Sequence, residues 1–237
     1  MAAVRIRLSC RGLLTSVGVL VLAACGGSAG GGSTSSPTSP SASNVSPVIA
    51  AMTVSPSSGV SALSSFTLTA SATDANGDSL TYTWTAGTAT ITGATQSTVI
   101  SGDGPVTVRL TVTDGKGGSA TDTRTVTIKT LTGTWNVVGL QCDSRPFTLT
   151  LTQSGGIATG SFRFPVAWCA VPANSSGVTD PAEPAIINAA GHVDIRLKVA
   201  PFIDFYLRGD MSADGRTITG GMFNSGFTGH PFTMTKQ

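Results

Sequence analysis

Val106-Thr107-Val108-Arg109-Leu110-Thr111-Val112-Thr113-Asp114-Gly115-Lys116-Gly117-Gly118 decides the fold of the first half of the chain. Its apolar residues recur at every second position. In an extended backbone that spacing puts Val106, Val108, Leu110 and Val112 on one face and Thr and Arg on the other. The run stops at Asp-Gly-Lys-Gly-Gly, where the side chains favour a tight turn. Phe66, Leu68, Ala70 and Ala72 repeat the pattern upstream, as do Leu80, Tyr82 and Trp84, and Val126 with Ile128 follow. Asp74-Ala75-Asn76-Gly77-Asp78 supplies another turn. Short alternating strands with turns between them predict a β-sandwich over residues 47–129.

Asn76-Gly77-Asp78-Ser79-Leu80-Thr81-Tyr82-Thr83-Trp84, followed by Val108 to Ala120, resembles a PKD-type, immunoglobulin-fold module. After Trp84 the chain reads Thr85-Ala86-Gly87 where that family commonly carries an acidic Asp-Phe-Gly-Asp-Gly. The segment has no cysteine, so Trp84 is expected in the core without a disulfide beside it. Asp74, Asn76, Asp78 and Asp114 are candidate calcium ligands, because a D-x-N-x-D loop offers several oxygens from one turn. No Glu completes an EF-hand, and Asp-Gly and Asn-Gly turns form without a metal. Calcium is the one cofactor the sequence offers.

Residues 131–237 hold most of the aromatics and a second series of short strands. Those predicted are 132–138, 146–153, 157–164, 192–199, 203–209, 217–223 and 231–236. A sequential antiparallel meander closes most simply into a small β-barrel, which removes exposed strand edges; a second sandwich is the alternative. Gly133-Thr134-Trp135 resembles the Gly-x-Trp that opens lipocalin and avidin-like (calycin) barrels. Ile157-Ala158-Thr159-Gly160 and Thr217-Ile218-Thr219-Gly220 are similar to that family's repeated strand pattern. The fold class is therefore all-β, an immunoglobulin-like sandwich followed by a meander or barrel. Residues 170–191, with Pro172, Pro181 and Pro184, read as the one long loop. Beside it Trp168, Phe202 and Tyr206 are candidate ligand-binding residues at a barrel mouth.

Upstream, Met1 to Arg11 is basic, Leu13 to Ala24 is apolar, and Ala23-Ala24 are small, which is the three-part plan of an export signal. The apolar run is short for a transmembrane helix. Leu22-Ala23-Ala24-Cys25-Gly26 resembles the bacterial lipobox. The resemblance implies cleavage after residue 24 and a lipid (palmitate among its acyl chains) on Cys25, with the protein held at the periplasmic or surface face of the outer membrane. Residues 25–46 are then an uncharged Gly/Ser/Thr/Pro tether, too poor in apolar surface to order itself.

Of 14 Lys and Arg residues, Arg5, Arg7 and Arg11 lie in the signal, which leaves 11 against 12 Asp and Glu. That near-neutral balance without basic runs gives no footprint for nucleic acid. With Cys10 in the signal and Cys25 lipidated, Cys142 and Cys169 remain, as one disulfide in an oxidising compartment or as two thiols.

No catalytic constellation is visible. His192 and His230 lack metal-ligand spacing, and there is no Gly-x-Ser-x-Gly elbow and no phosphate loop. The reading is a non-enzymatic exported lipoprotein whose sandwich is a spacer or adhesion unit. The C-terminal domain would bind a small molecule, a glycan or a protein. The rivals are a purely structural envelope protein and an enzyme or inhibitor acting through the 170–191 loop.

Overall fold

The structure is a computed structural model that describes residues 43–139, 143–165, 167, 173–199, 204–224 and 227–237. All helix and strand assignments among these residues are strand, as the Thr-, Val- and Gly-rich composition requires. Cys25, Cys142, Cys169, Trp168 and Phe202 lie outside the described residues.

The first eight strands are β1 (Val48–Ser55), β2 (Ser58–Val60), β3 (Ser65–Thr73), β4 (Thr81–Ala86), β5 (Ala89–Thr92), β6 (Thr95–Val99), β7 (Gly104–Thr113) and β8 (Ser119–Lys129). They build two facing sheets, β1-β3-β6 and β2-β8-β7-β4-β5. The alternation works as expected. Phe66, Leu68, Trp84, Leu110, Val112 and Ile128 are buried between the sheets, with Tyr82 and Val106 packed partly against them. Trp84 keeps its one polar atom satisfied, because its Nε1 donates to the Gly93 carbonyl at 2.8 Å.

Nine further strands follow: β9 (Gly133–Gly139), β10 (Asp143–Ser154), β11 (Ile157–Arg163), β12 (Ser176–Val178), β13 (Ala185–Ile187), β14 (His192–Leu197), β15 (Phe205–Met211), β16 (Thr217–Asn224) and β17 (Phe227–Lys236). Neighbours pair antiparallel in chain order, and β17 returns to β9, with Phe232 opposite Gly139 and Lys236 opposite Trp135. The sheet is thus a closed eight-position barrel. The sequence splits one of those positions. β12 lies along Ser161–Arg163 of β11, while Ala185 and Ile186 of β13 lie along Ala158 and Ile157. Thr179 bridges across to Leu197. One wall strand therefore runs from Ser176 to Ile187 and swings outward between Asp180 and Pro184. This corrects the expectation of a loop over 170–191. Two three-residue strands separated by Pro181 and Pro184 show no alternation long enough to read.

The close approach of neighbouring strands explains the two Thr-Gly repeats. A Cβ at Gly160 would sit 1.8 Å from the Thr150 carbonyl oxygen, and one at Gly220 would sit 1.9 Å from that of Arg208. Only glycine lets the neighbouring strand pass so near. Trp135, Phe147, Phe162, Leu149, Ile195 and Met222 are among the inward residues that fill the barrel. Small eight-stranded barrels are just wide enough for such filling.

The junction of sandwich and barrel is packed. Leu131 is fully buried, and Val60 of β2 belongs to the barrel's core cluster, with Leu63 packed against it. Gln153 spans the junction. Its Oε1 accepts from the Leu131 amide at 2.7 Å and from Thr130 Oγ1 at 3.0 Å, while its Nε2 donates to the Gly155 carbonyl at 2.8 Å. Lys236 Nζ lies 2.8 Å from Asp103 Oδ2 and sits over the Trp135 ring.

Candidate functional site on the outer barrel wall

Tyr206 faces out, because its neighbour Leu207 points into the core. This moves it from the expected barrel mouth to the outer wall. The strand register places Arg196 opposite Tyr206 and Asp194 opposite Arg208 between β14 and β15, and Tyr206 opposite Phe223 between β15 and β16. Three cross-strand pairs thus bring two arginines, two aromatic rings and an aspartate onto one patch. Paired positions with Cβ atoms about 4.5–5.5 Å apart interact directly.

Arg196 is the hub that fixes the patch. Its Nη1 lies 3.3 Å from Asp180 Oδ2 and also pairs with Glu183. Its Nε and Nη2 both donate to Asp204 Oδ2, at 3.1 and 2.8 Å. The outward swing between β12 and β13 brings Asp180 and Glu183 to this arginine, so the ion pairs pin the excursion to the wall. The hydrogen bond to Asp204 raises the Arg196 guanidinium above its ordinary value. Asp180 is held below the usual carboxylate value, first by the Ala182 amide and then by the Arg196 charge. Burial raises the Tyr206 hydroxyl above the usual phenol value, and that hydroxyl donates to Glu183 Oε2 at 3.3 Å.

Arg208 is held differently. Its guanidinium carbon lies 4.7 Å from the Tyr206 ring centroid and 5.7 Å from that of Phe223. Its Nε donates to Asp194 Oδ2 at 2.8 Å. Among the described residues no protein acceptor meets its two terminal nitrogens, and no donor meets Asp194 Oδ1. Beside them is a cleft of about 300 Å³, lined by Glu183, Pro184, Ile186, Asp194, Tyr206 and Arg208 among others. Ile186 is half exposed and stands opposite Ile157, which is equally exposed.

Three of the four calcium candidates, Asp74, Asn76 and Asp114, use their side chains in the sandwich turns, and Asp78 contributes its amide. Asp74 Oδ1 accepts the amides of Asn76 at 2.8 Å and Asp78 at 3.1 Å. Asp114 Oδ1 accepts those of Lys116 at 2.7 Å and Gly118 at 2.9 Å. Asp114 Oδ2 accepts from Asn44 Nδ2 at 2.8 Å, and Asn76 Oδ1 from the Val45 amide at 2.7 Å. Asn76 and Asp114 thus staple the incoming chain. Among the described residues no group of three or more His, Cys, Asp and Glu side chains converges as a metal site. His192 Nδ1 lies 2.9 Å from Asp210 Oδ1, but both side chains are exposed on the barrel surface rather than set in a cleft.

Of this candidate patch the sequence singled out Tyr206, and not Arg196, Arg208, Glu183 or Phe223. The usable signal was the alternation in β14 and β15, which puts Asp194, Arg196, Tyr206 and Arg208 outside. Their register was not readable.

Residues 44–129 match the family model described as PKD domain, in agreement with the sandwich and its turns. No curated protein matches the chain. A solved structure described in a study of the promiscuous specificity of carbohydrate-binding modules from the β-sandwich superfamily aligns at 12% identity. The alignment covers 82% of this chain and 93% of that one, with a TM-score of 0.34.

Proposed function

We propose that the chain is a non-enzymatic, exported lipoprotein in which the PKD module carries a binding barrel away from the membrane. The observation that carries the binding role is Arg208, held over the Tyr206 ring and near that of Phe223 on the outer wall with its terminal nitrogens unmet by described residues. Aromatic and arginine side chains held rigidly at a surface are the residues that dominate recognition. The packed junction supports the spacer role, because it lets the sandwich hold the barrel in a fixed attitude. Retention of soluble envelope components on the immobilised full chain tests the reading. Wild type retains a saturable component that an Arg208→Ala variant loses; equal retention overturns the assignment.

The anchor rests on Leu22-Ala23-Ala24-Cys25. Wild type takes up a palmitate analogue and Cys25→Ser does not, and equal labelling removes the lipid. The outer membrane is the proposed destination. The Cys142–Cys169 disulfide is part of the same reading. It rests on the sequence, in which these are the two cysteines left to an exported chain once Cys10 and Cys25 are assigned. Two reactive thiols in denatured, unreduced protein would refute the bridge.

A purely structural envelope role is the second reading, favoured by a barrel interior filled with side chains rather than left open for a ligand. An enzyme or inhibitor acting through 170–191 is the third reading: β12 and β13 of that segment are barrel wall, while Glu183 and Pro184 between them line the cleft.

A further inference from the structure

Around the cleft, the charges compensate and then exceed balance. Glu183 and Asp194 face Arg196 and Arg208, and Asp180 and Asp204 add two more carboxylates on the far side of Arg196. Two positive and four negative groups give no net attraction for an anion, in spite of the two arginines. Each carboxylate is also paired through at least one oxygen, which leaves too few unengaged oxygens at the cleft for a cation that takes six or more.

What remains on offer is a donor fork and an acceptor a few atoms apart. The Arg208 terminal nitrogens have only donors, and Asp194 Oδ1 has only lone pairs. Their geometry is restrained before any ligand arrives, because Nε is tied to Asp194 Oδ2 and the guanidinium lies over the Tyr206 ring. A ligand that fits must supply acceptors and a donor together without bringing charge. Adjacent hydroxyl groups do so, since each hydroxyl donates one proton and accepts on two lone pairs. The rest of the rim sets the apolar Ile186 and Pro184 and the Tyr206 ring beside the paired charges of Glu183 and Arg196, and its apolar part suits the C–H face of a ring. The cleft volume lies at the small end of ligand sites, which fits a ring-sized group. A peptide backbone also alternates donors and acceptors, but it binds sheets by adding a strand to a free edge, and this barrel is closed.

We infer that the outer-wall cleft at Arg208 and Asp194 binds the vicinal hydroxyls of an uncharged saccharide. The inference rests on the binding role proposed above and names its ligand. Asp194 and Arg208 hold the hydroxyls, Ile186 and Pro184 carry the ring face, and Arg196 is a positioning residue that keeps Glu183 in place.

The test screens the full chain on an array of neutral and acidic oligosaccharides. Titrations observed by saturation-transfer NMR follow, with the best neutral sugar, glucuronate and an uncharged tripeptide amide. A neutral sugar is expected to bind, and Arg208→Ala and Asp194→Asn are each expected to weaken it about tenfold or more with melting nearly unchanged. Binding that neither variant alters overturns the placement. Preference for glucuronate, strengthened by Asp194→Asn, overturns the neutral ligand in favour of an anion; capture of the peptide alone overturns it in favour of a polypeptide. If no sugar binds while an envelope component is still retained through Arg208, the saccharide inference falls and the binding role stands. If neither is retained, both fall.

Discussion

Arg208 Nε donates to Asp194 Oδ2 at 2.8 Å from directly opposed positions on β15 and β14. The pair half-neutralises the arginine without using its terminal nitrogens, and it leaves one carboxylate oxygen unengaged. Because both groups are partly exposed, the pair itself adds little to stability, within about 1 kcal/mol. Arg208→Ala should therefore melt within a few degrees of wild type while losing the binding function. A large drop in melting temperature would make the pair a structural element instead.

Gly160 and Gly155 separate close strand approach from backbone strain. Gly155 adopts φ 60° in a hairpin with nothing near a would-be Cβ, so Gly155→Ala should cost about 1–2 kcal/mol. Gly160→Ala drives a methyl into the Thr150 carbonyl and should cost about 3 kcal/mol or more, measured by urea unfolding. Equal costs would mean the barrel yields easily at that seam.

Leu131 and Gln153 predict that sandwich and barrel unfold together. Leu131→Ala removes a fully buried side chain at the junction and should cost about 2–5 kcal/mol. Gln153→Leu leaves the Leu131 amide without its acceptor. Calorimetry should give one transition for wild type and two for the Gln153 variant. Two transitions already in wild type would contradict a rigid junction.

Asp114 predicts an acid limb in stability. Asn44 and the amides of Lys116 and Gly118 hold its carboxyl below the usual carboxylate range. A group whose folded value is depressed stabilises the fold above the unfolded value, and that contribution is lost as pH falls through the folded one. Melting temperature should thus decline below about pH 4, and Asn44→Ala should flatten the decline. Backbone amides occupy Asp74 Oδ1 and Asp114 Oδ1, whereas Asp74 Oδ2 is buried without a hydrogen-bond partner among the described residues. Because no three acidic or imidazole side chains converge there among the described residues, calcium added to chelator-treated protein should leave the melting point unchanged. A calcium-dependent rise would place an ion at Asp74, Asn76, Asp78 and Asp114.

Legibility followed the length of the pattern. Strands with three or more alternating apolar residues, such as Val106 to Val112 or Val193 to Leu197, could be read directly, and so could the turns after Asp74 and Asp114. β12 and β13 could not, because three residues carry no period and two prolines argued for a loop. The site was harder still. Tyr206 stood out as an aromatic, but Arg196 and Arg208 become partners of Tyr206, Asp180 and Glu183 only through cross-strand register and the outward swing of one wall strand. Both are set by closure of the barrel and leave no local mark.

The most direct measurement compares two arginines on the same outer wall. Arg163 is exposed at the end of β11, away from the Tyr206 patch, and lines a separate shallow groove. Equilibrium binding of the retained envelope component should be lost in Arg208→Ala and kept in Arg163→Ala. Equal binding by wild type and both variants would contradict the account.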